Sequence, residues 1–154
     1  MVDTTTIDIT KPLNKLAQAN LDSYAGFMAA AEEVNDQPLR ELFNDIATER
    51  KKQADRLKGL IAAEGETPPD DSPSAIAKMH HWWLKARTKV SSDDAMAVLE
   101  EAERGEDRIK AAYEDTLEEV AGSGATDVLN DQYAAVKRQH DRIRDLRDVA
   151  RRDN

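Results

Sequence analysis

Four side chains in this sequence have the chemistry and the helical spacing to form a metal site. They are three carboxylates and one imidazole that lie on or beside the apolar stripes of long predicted helices: Glu49, Glu103, Glu106 and His140. An oxygen-rich set with one imidazole suits Mn, Fe or Zn without selecting among them. The chain has no cysteine, which excludes thiolate metal sites, cysteine nucleophiles and disulfides. One interpretation of the pattern is therefore a site for a single divalent ion, or for one or two weakly held ions, completed by water.

The same carboxylates also have a structural interpretation. Polar residues interrupt the apolar stripes near the middle of the predicted helices, and they include Asn20, Tyr24, Arg50, Gln53 and Gln132. Burial of an unpartnered carboxylate is costly, so these groups must pair with one another or with a ligand. We favour a buried hydrogen-bonded layer over a metal site, because the number of metal-ligating side chains is small for a protein-held ion.

The stripes that position these residues belong to four long helices and one short helix. Proline, glycine and capping residues divide the chain into helical segments. None of these segments has a β pattern. The long helices are expected over residues 10–35, 36–65, 91–122 and 126–154. Residues 66–90 form a long crossover that carries the short helix, and residues 1–9 are expected to be a flexible N-terminus. The whole chain, 1–154, is predicted to form a single domain.

The lengths of the connections predict the topology. Helices one and two are joined tightly, as are helices three and four, whereas helices two and three are separated by the crossover. An up-and-down bundle would have three short loops, so we predict two antiparallel hairpins joined by one long crossover. Helices two and three should then run parallel.

Several motifs occur in one order along the chain. They are Leu13–Leu16 (LNKL), Asp22–Phe27 (DSYAGF), Glu49-Arg50, His80 with Trp83, Glu103–Asp107 (ERGED), Gln132-Tyr133 and His140–Ile143 (HDRI). Together they resemble a bacterial ferritin-like family catalogued as a domain of unknown function and related to stress-induced ferritin-like proteins. The resemblance implies an all-α, ferritin-like four-helix bundle and a stress-associated role, but it supplies no established activity.

A di-iron centre is not expected. Ferritin-like carboxylate proteins hold two irons with a Glu from each of two helices and a Glu-x-x-His from each of the others. The residues three positions before the three histidines are Ala77, Lys78 and Lys137, so the chain contains no such motif. Lys52, rather than a histidine, lies three positions after Glu49.

Charge and hydropathy exclude several partners. The net charge is −9, and the one locally basic stretch, 142–152, alternates with aspartates, so nucleic acid is not an expected partner. No apolar run of membrane-spanning length and no signal-like N-terminus is present, so we expect no membrane partner and a cytoplasmic location. Trp82 on the crossover helix is a candidate contact in a homodimer, and we expect a monomer or a small homodimer.

Three hypotheses follow. We favour a non-catalytic structural or binding protein, stress-associated, whose polar layer replaces a di-iron site; it requires no cofactor and has no catalytic residue. The first alternative is a metalloprotein with one or two weakly bound Mn, Fe or Zn ions and oxidase- or peroxidase-like chemistry. The second is a protein-interaction module that docks through the crossover helix.

Overall fold

The computed structural model describes residues 8–70 and 95–152. Within these ranges the chain forms four helices and no strand, which confirms the predicted all-α class. The helices are Thr10–Glu33 (α1), Gln37–Ala63 (α2), Ala95–Glu119 (α3) and Thr126–Arg152 (α4). The predicted crossover helix, including Trp82, lies outside the described residues. None of the four helices is long and apolar enough to span a membrane.

Local capping signals set the helix ends near the predicted positions. The Asp36 side chain accepts a hydrogen bond from the Leu39 amide at 3.1 Å, and Pro38 occupies the first turn of α2. Gly65 and Gly122 follow α2 and α3 with φ of +82° and +85°, a conformation that favours glycine at helix C-termini. These signals begin α2, and they end α2 and α3.

The apolar core consists of two clusters at opposite ends of the bundle. The first core cluster joins the C-terminal halves of α1 and α4 to the N-terminal halves of α2 and α3, and it includes Phe27, Ala31, Leu42, Phe43, Ile46, Leu99, Ala102 and Ile143. The second core cluster joins the opposite halves and includes Leu13, Leu16, Leu57, Ile61, Ile109, Leu129 and Val136. Because α2 and α3 begin at the same end, they run parallel, as the crossover predicts.

The helices are not all neighbours. The backbone of α1 packs along α2 and α3, and α3 packs along α4, whereas the backbones of α2 and α3 hardly approach each other. The helices α2 and α3 therefore face each other across the interior of the bundle. Long polar side chains that lie between the two core clusters also connect them.

Candidate functional site

A buried ion pair occupies the middle of the bundle. Arg50 of α2 and Glu106 of α3 have no exposed side-chain surface, and Arg50 Nη2 lies 2.6 Å from both carboxylate oxygens of Glu106. Arg50 Nη1 donates to Gln139 Oε1 of α4. The remaining donor, Arg50 Nε, is buried without a partner among the described residues. Three helices thus meet at one guanidinium group.

Burial and pairing act on the Glu106 carboxyl in opposite directions. Removal from water raises its pKa above the ordinary value, because burial penalises the ionised form. The charge and hydrogen bonds of Arg50 oppose that increase. The guanidinium cannot lose its proton in a protein, so the interior holds a permanent positive charge that Glu106 balances.

A second polar group is centred on the Tyr113 hydroxyl, two turns of α3 beyond Glu106. This hydroxyl donates to Gln132 Oε1 at 2.8 Å and accepts from Asn20 Nδ2 at 3.0 Å. Gln132 Nε2 also donates to the Gln53 backbone carbonyl at 3.3 Å. Burial raises the pKa of Tyr113 well above its ordinary value, so its hydroxyl stays neutral. All four helices contribute to this group.

A third cluster lies at the surface where α3 packs against α4. Glu103 and Asp107, one turn apart on α3, each have a carboxylate oxygen within 4.8 Å of a His140 ring nitrogen and of each other. His140 Nε2 is 2.6 Å from Asp107 Oδ1. The side chains of Glu103 and His140 are 16% and 12% exposed, whereas that of Asp107 is 59% exposed, so the cluster opens to solvent beside Asp107.

Ion pairs continue along the same interface. Arg147 Nη1 contacts Glu103 Oε2, and Arg151 Nη2 lies 3.6 Å from Glu100 Oε1 one turn further towards the first core cluster. Glu103 Oε2 is enclosed, and the Arg147 guanidinium is its partner. The charge of Glu103 is therefore balanced across the interface by α4.

The structure separates the four residues predicted as metal ligands. Glu103 and His140 lie together, and Asp107, which was not predicted, joins them. Glu106 is instead paired with Arg50, while Glu49 is half-buried and lies outside the metal-ligand cluster. A signal for Asp107 was present, because it lies four residues after Glu103 and so shares its helix face.

The predicted polar layer is divided between the two buried groups. Arg50 belongs to the ion pair, and Asn20, Gln53 and Gln132 surround Tyr113. Tyr24 is half-buried and packs against the first core cluster. Tyr113, which lies at the centre of the hydrogen-bonded group, was not among the residues predicted for the polar layer.

A known protein family matches most of this chain. The sequence model of the family described as Domain of unknown function (DUF2383) matches residues 8–119, which include α1, α2 and α3. The chain belongs to the DUF2383 family. The family resemblance predicted from the motifs is thereby confirmed, although Gln132 and His140 lie beyond the matched residues.

The comparison with solved structures shows the fold of this DUF2383 protein. A Dps1 mutant from Mycobacterium smegmatis matches with a TM-score of 0.75 and 17% sequence identity, over 91% of this chain and 95% of that chain. The predicted ferritin-like four-helix bundle is confirmed. No curated protein sequence matches the chain.

The interior of this ferritin-like bundle does not fit a pair of iron ions. Such a centre requires several carboxylates and imidazoles directed inwards. Among the buried residues of the described ranges, Glu106 is the only acidic one, and both of its oxygens contact Arg50. The other buried groups nearby are neutral amides and the Tyr113 phenol.

Proposed function

We propose that this protein is a non-catalytic member of the ferritin-like fold with a structural or binding role. In this proposal the interior charge is balanced by protein groups in place of metal ions. The observation that carries the proposal is the fully buried pair of Arg50 and Glu106. A permanently charged guanidinium at the centre repels a divalent cation, and it already pairs with the one buried carboxylate found in residues 8–70 and 95–152.

The pair supports a structural role because of where it lies. It connects α2 and α3, whose backbones hardly approach each other, and Gln139 connects the same guanidinium to α4. Buried ion pairs are weak evidence for high stability, but some of them specify one arrangement of helices over others. We assign that role to Arg50. The stress association implied by the family resemblance stays a prediction.

Aerobic oxidation of Fe(II) tests the proposal. The metal-free full chain should oxidise Fe(II) no faster than buffer, and protein purified from iron-supplemented cells without affinity nickel should hold no iron in its interior. The matched variants are Glu106→Gln, which alters the interior, and Glu100→Gln, which removes the same charge at the surface. Fe(II) oxidation by the wild type that Glu106→Gln abolishes and Glu100→Gln preserves would refute the non-catalytic role.

We also propose that the protein is a monomer or a small homodimer. The large apolar side chains that are exposed in the described ranges are only 37–43% exposed, and they are Met28, Leu146 and Val149. Charged residues of both signs pair on the surface of the C-terminal half of α4, which disfavours extensive apolar interfaces there. Sedimentation velocity should show one or two chains per particle, and a particle of many subunits would contradict the proposal.

A further inference from the structure

We propose that Glu103, Asp107 and His140 form a binding site for one first-row divalent cation at the surface between α3 and α4. The site is separate from the interior ion pair, and it goes beyond the structural role proposed above. Two helices hold the three side chains, so the folded chain fixes their backbone positions without any loop. The cation would be bound at the surface, with open positions on its exposed side.

The distances suit a single ion. Oxygen and nitrogen ligands of Zn²⁺ lie at about 2.0–2.2 Å, so two ligand atoms on one ion are at most about 4.4 Å apart. The three candidate ligand atoms already lie within 4.8 Å of one another. Small side-chain rotations are therefore enough to bring them onto one ion. Asp107, the most exposed of the three, has the greatest freedom to make that adjustment.

The surroundings of Glu103 show that the cluster already holds a cationic group. Glu103 Oε2 is enclosed, and the Arg147 guanidinium contacts it. An enclosed carboxylate requires a positive partner, and a metal ion would supply that charge in place of Arg147. The Asp141 carboxylate lies 3.4 Å from His140 Nδ1, where an outer partner would orient the imidazole and leave Nε2 for the metal.

The ligand set determines which ions bind best. Two carboxylates and one imidazole suit Mn, Fe, Co and Zn, and the affinity for such a site increases from Mn through Fe to Co. Arg147 opposes binding, because a cation at Glu103 must displace its guanidinium or tolerate the repulsion. The affinity is therefore limited by a residue that is not a ligand.

Calorimetric titration of the metal-free full chain with Zn²⁺, together with the visible absorption of bound Co²⁺, tests the site. We expect one ion per chain and weaker binding of Mn²⁺. The variants Asp107→Asn and His140→Ala should each lower the Zn²⁺ affinity by about tenfold or more, since even outer-shell changes cost about 10–100-fold. Arg147→Gln should raise the affinity, an effect that a purely structural ion pair would not produce.

Three controls locate the ion. Glu100→Gln removes a carboxylate from the same interface one turn away and should change the affinity by less than about twofold. The double variant His80→Ala/His81→Ala should retain binding. Far-ultraviolet circular dichroism checks that each variant is folded, and Asp107→Asn is the decisive variant because its side chain is mostly exposed.

Two results would overturn the proposal. One is the absence of saturable Zn²⁺ and Co²⁺ binding by the wild type. The other is equal affinity in the wild type, Asp107→Asn and His140→Ala. Binding that is lost in Glu106→Gln but kept in Asp107→Asn would place the ion in the interior, and it would then contradict both this site and the role assigned to Arg50.

Discussion

Arg50 of α2 and Glu106 of α3 meet at 2.6 Å across the bundle interior, although the backbones of their two helices hardly approach each other. Neither side chain has any exposed surface. Each residue is therefore tolerable in the interior only because the other is present. This mutual dependence can be measured.

Removal of one partner should be far more costly than removal of both. Arg50→Met or Glu106→Leu alone leaves a buried charge without its partner, and each should lower the free energy of unfolding by about 3–5 kcal/mol. The double variant Arg50→Met/Glu106→Leu should recover most of that loss, because apolar groups of similar volume replace the pair. Urea unfolding of the four proteins gives the coupling energy. Additive losses in the double variant would contradict the mutual dependence.

Loss of the Tyr113 hydroxyl should destabilise the second buried group. Tyr113→Phe leaves Asn20 Nδ2 and Gln132 Oε1 short of a hydrogen-bond partner, so we expect a loss of about 1–3 kcal/mol in urea unfolding. Tyr133→Phe is the matched control, because its hydroxyl bonds Glu114 at the exposed side of the bundle. Unchanged stability of Tyr113→Phe, measured beside Tyr133→Phe, would contradict a structural role for the Tyr113 hydroxyl.

In an alkaline titration, Tyr133 should have a higher pKa than a free tyrosine. Its hydrogen bond to the Glu114 carboxylate, at 2.5 Å, favours the protonated phenol and raises the pKa of Tyr133 to about 12 from 10.0. Because the folded-state pKa is the higher one, this contribution to stability is fully present below pH 10 and is lost as the pH rises through about 12. The tyrosinate absorbance of the wild type minus that of Tyr133→Phe reports the pKa. Glu114→Gln should move it back towards 10.0, and an unchanged value would exclude the carboxylate as the cause.

Replacement of either of two glycines inside helices by alanine should stabilise the protein. A Cβ atom added at Gly59 or Gly105 would meet no atom within 4 Å, so neither glycine is required for close packing. Gly59→Ala and Gly105→Ala should each stabilise the protein by about 0.5–1 kcal/mol, because alanine favours the helix and glycine does not. Thermal unfolding measures the change.

Gly65 provides the opposite control for those two variants. A Cβ atom there would also meet nothing within 4 Å, but the backbone has φ of +82°. Gly65→Ala should therefore destabilise the protein through backbone strain alone. Stabilisation by Gly65→Ala, or destabilisation by Gly105→Ala, would contradict this assignment.

The fold could be predicted because its determinants are local. Asp36 and Pro38 begin α2, and Gly65 and Gly122 end α2 and α3, all through the conformations that these residue types prefer. The parallel arrangement of α2 and α3 followed from the length of the segment between them. Neither argument needed knowledge of a contact between distant residues.

The candidate site could be predicted only in part, because it depends on how far side chains reach between helices. Helical spacing placed Glu106 on the core face, but it did not show whether Arg50 or His140 would reach it. Asp107 lies one residue beyond that face, and only the alignment of α4 along α3 brings His140 to it. Tyr113 has the apolar ring that a core stripe predicts, and its hydroxyl acquires a role only when three other helices supply amides.

The polar groups between the two core clusters also restrict how the helices can slide. A shift of α2 by one turn, about 5.4 Å along its axis, would keep many apolar side chains in apolar surroundings. The same shift would carry the Arg50 guanidinium away from Glu106 and leave two buried charges apart. Without buried charges, the slipped bundle and the native bundle would differ in free energy only through packing. In this chain the slipped bundle carries an electrostatic penalty, so the native alignment of α2 is separated in free energy from its nearest misfolded competitors.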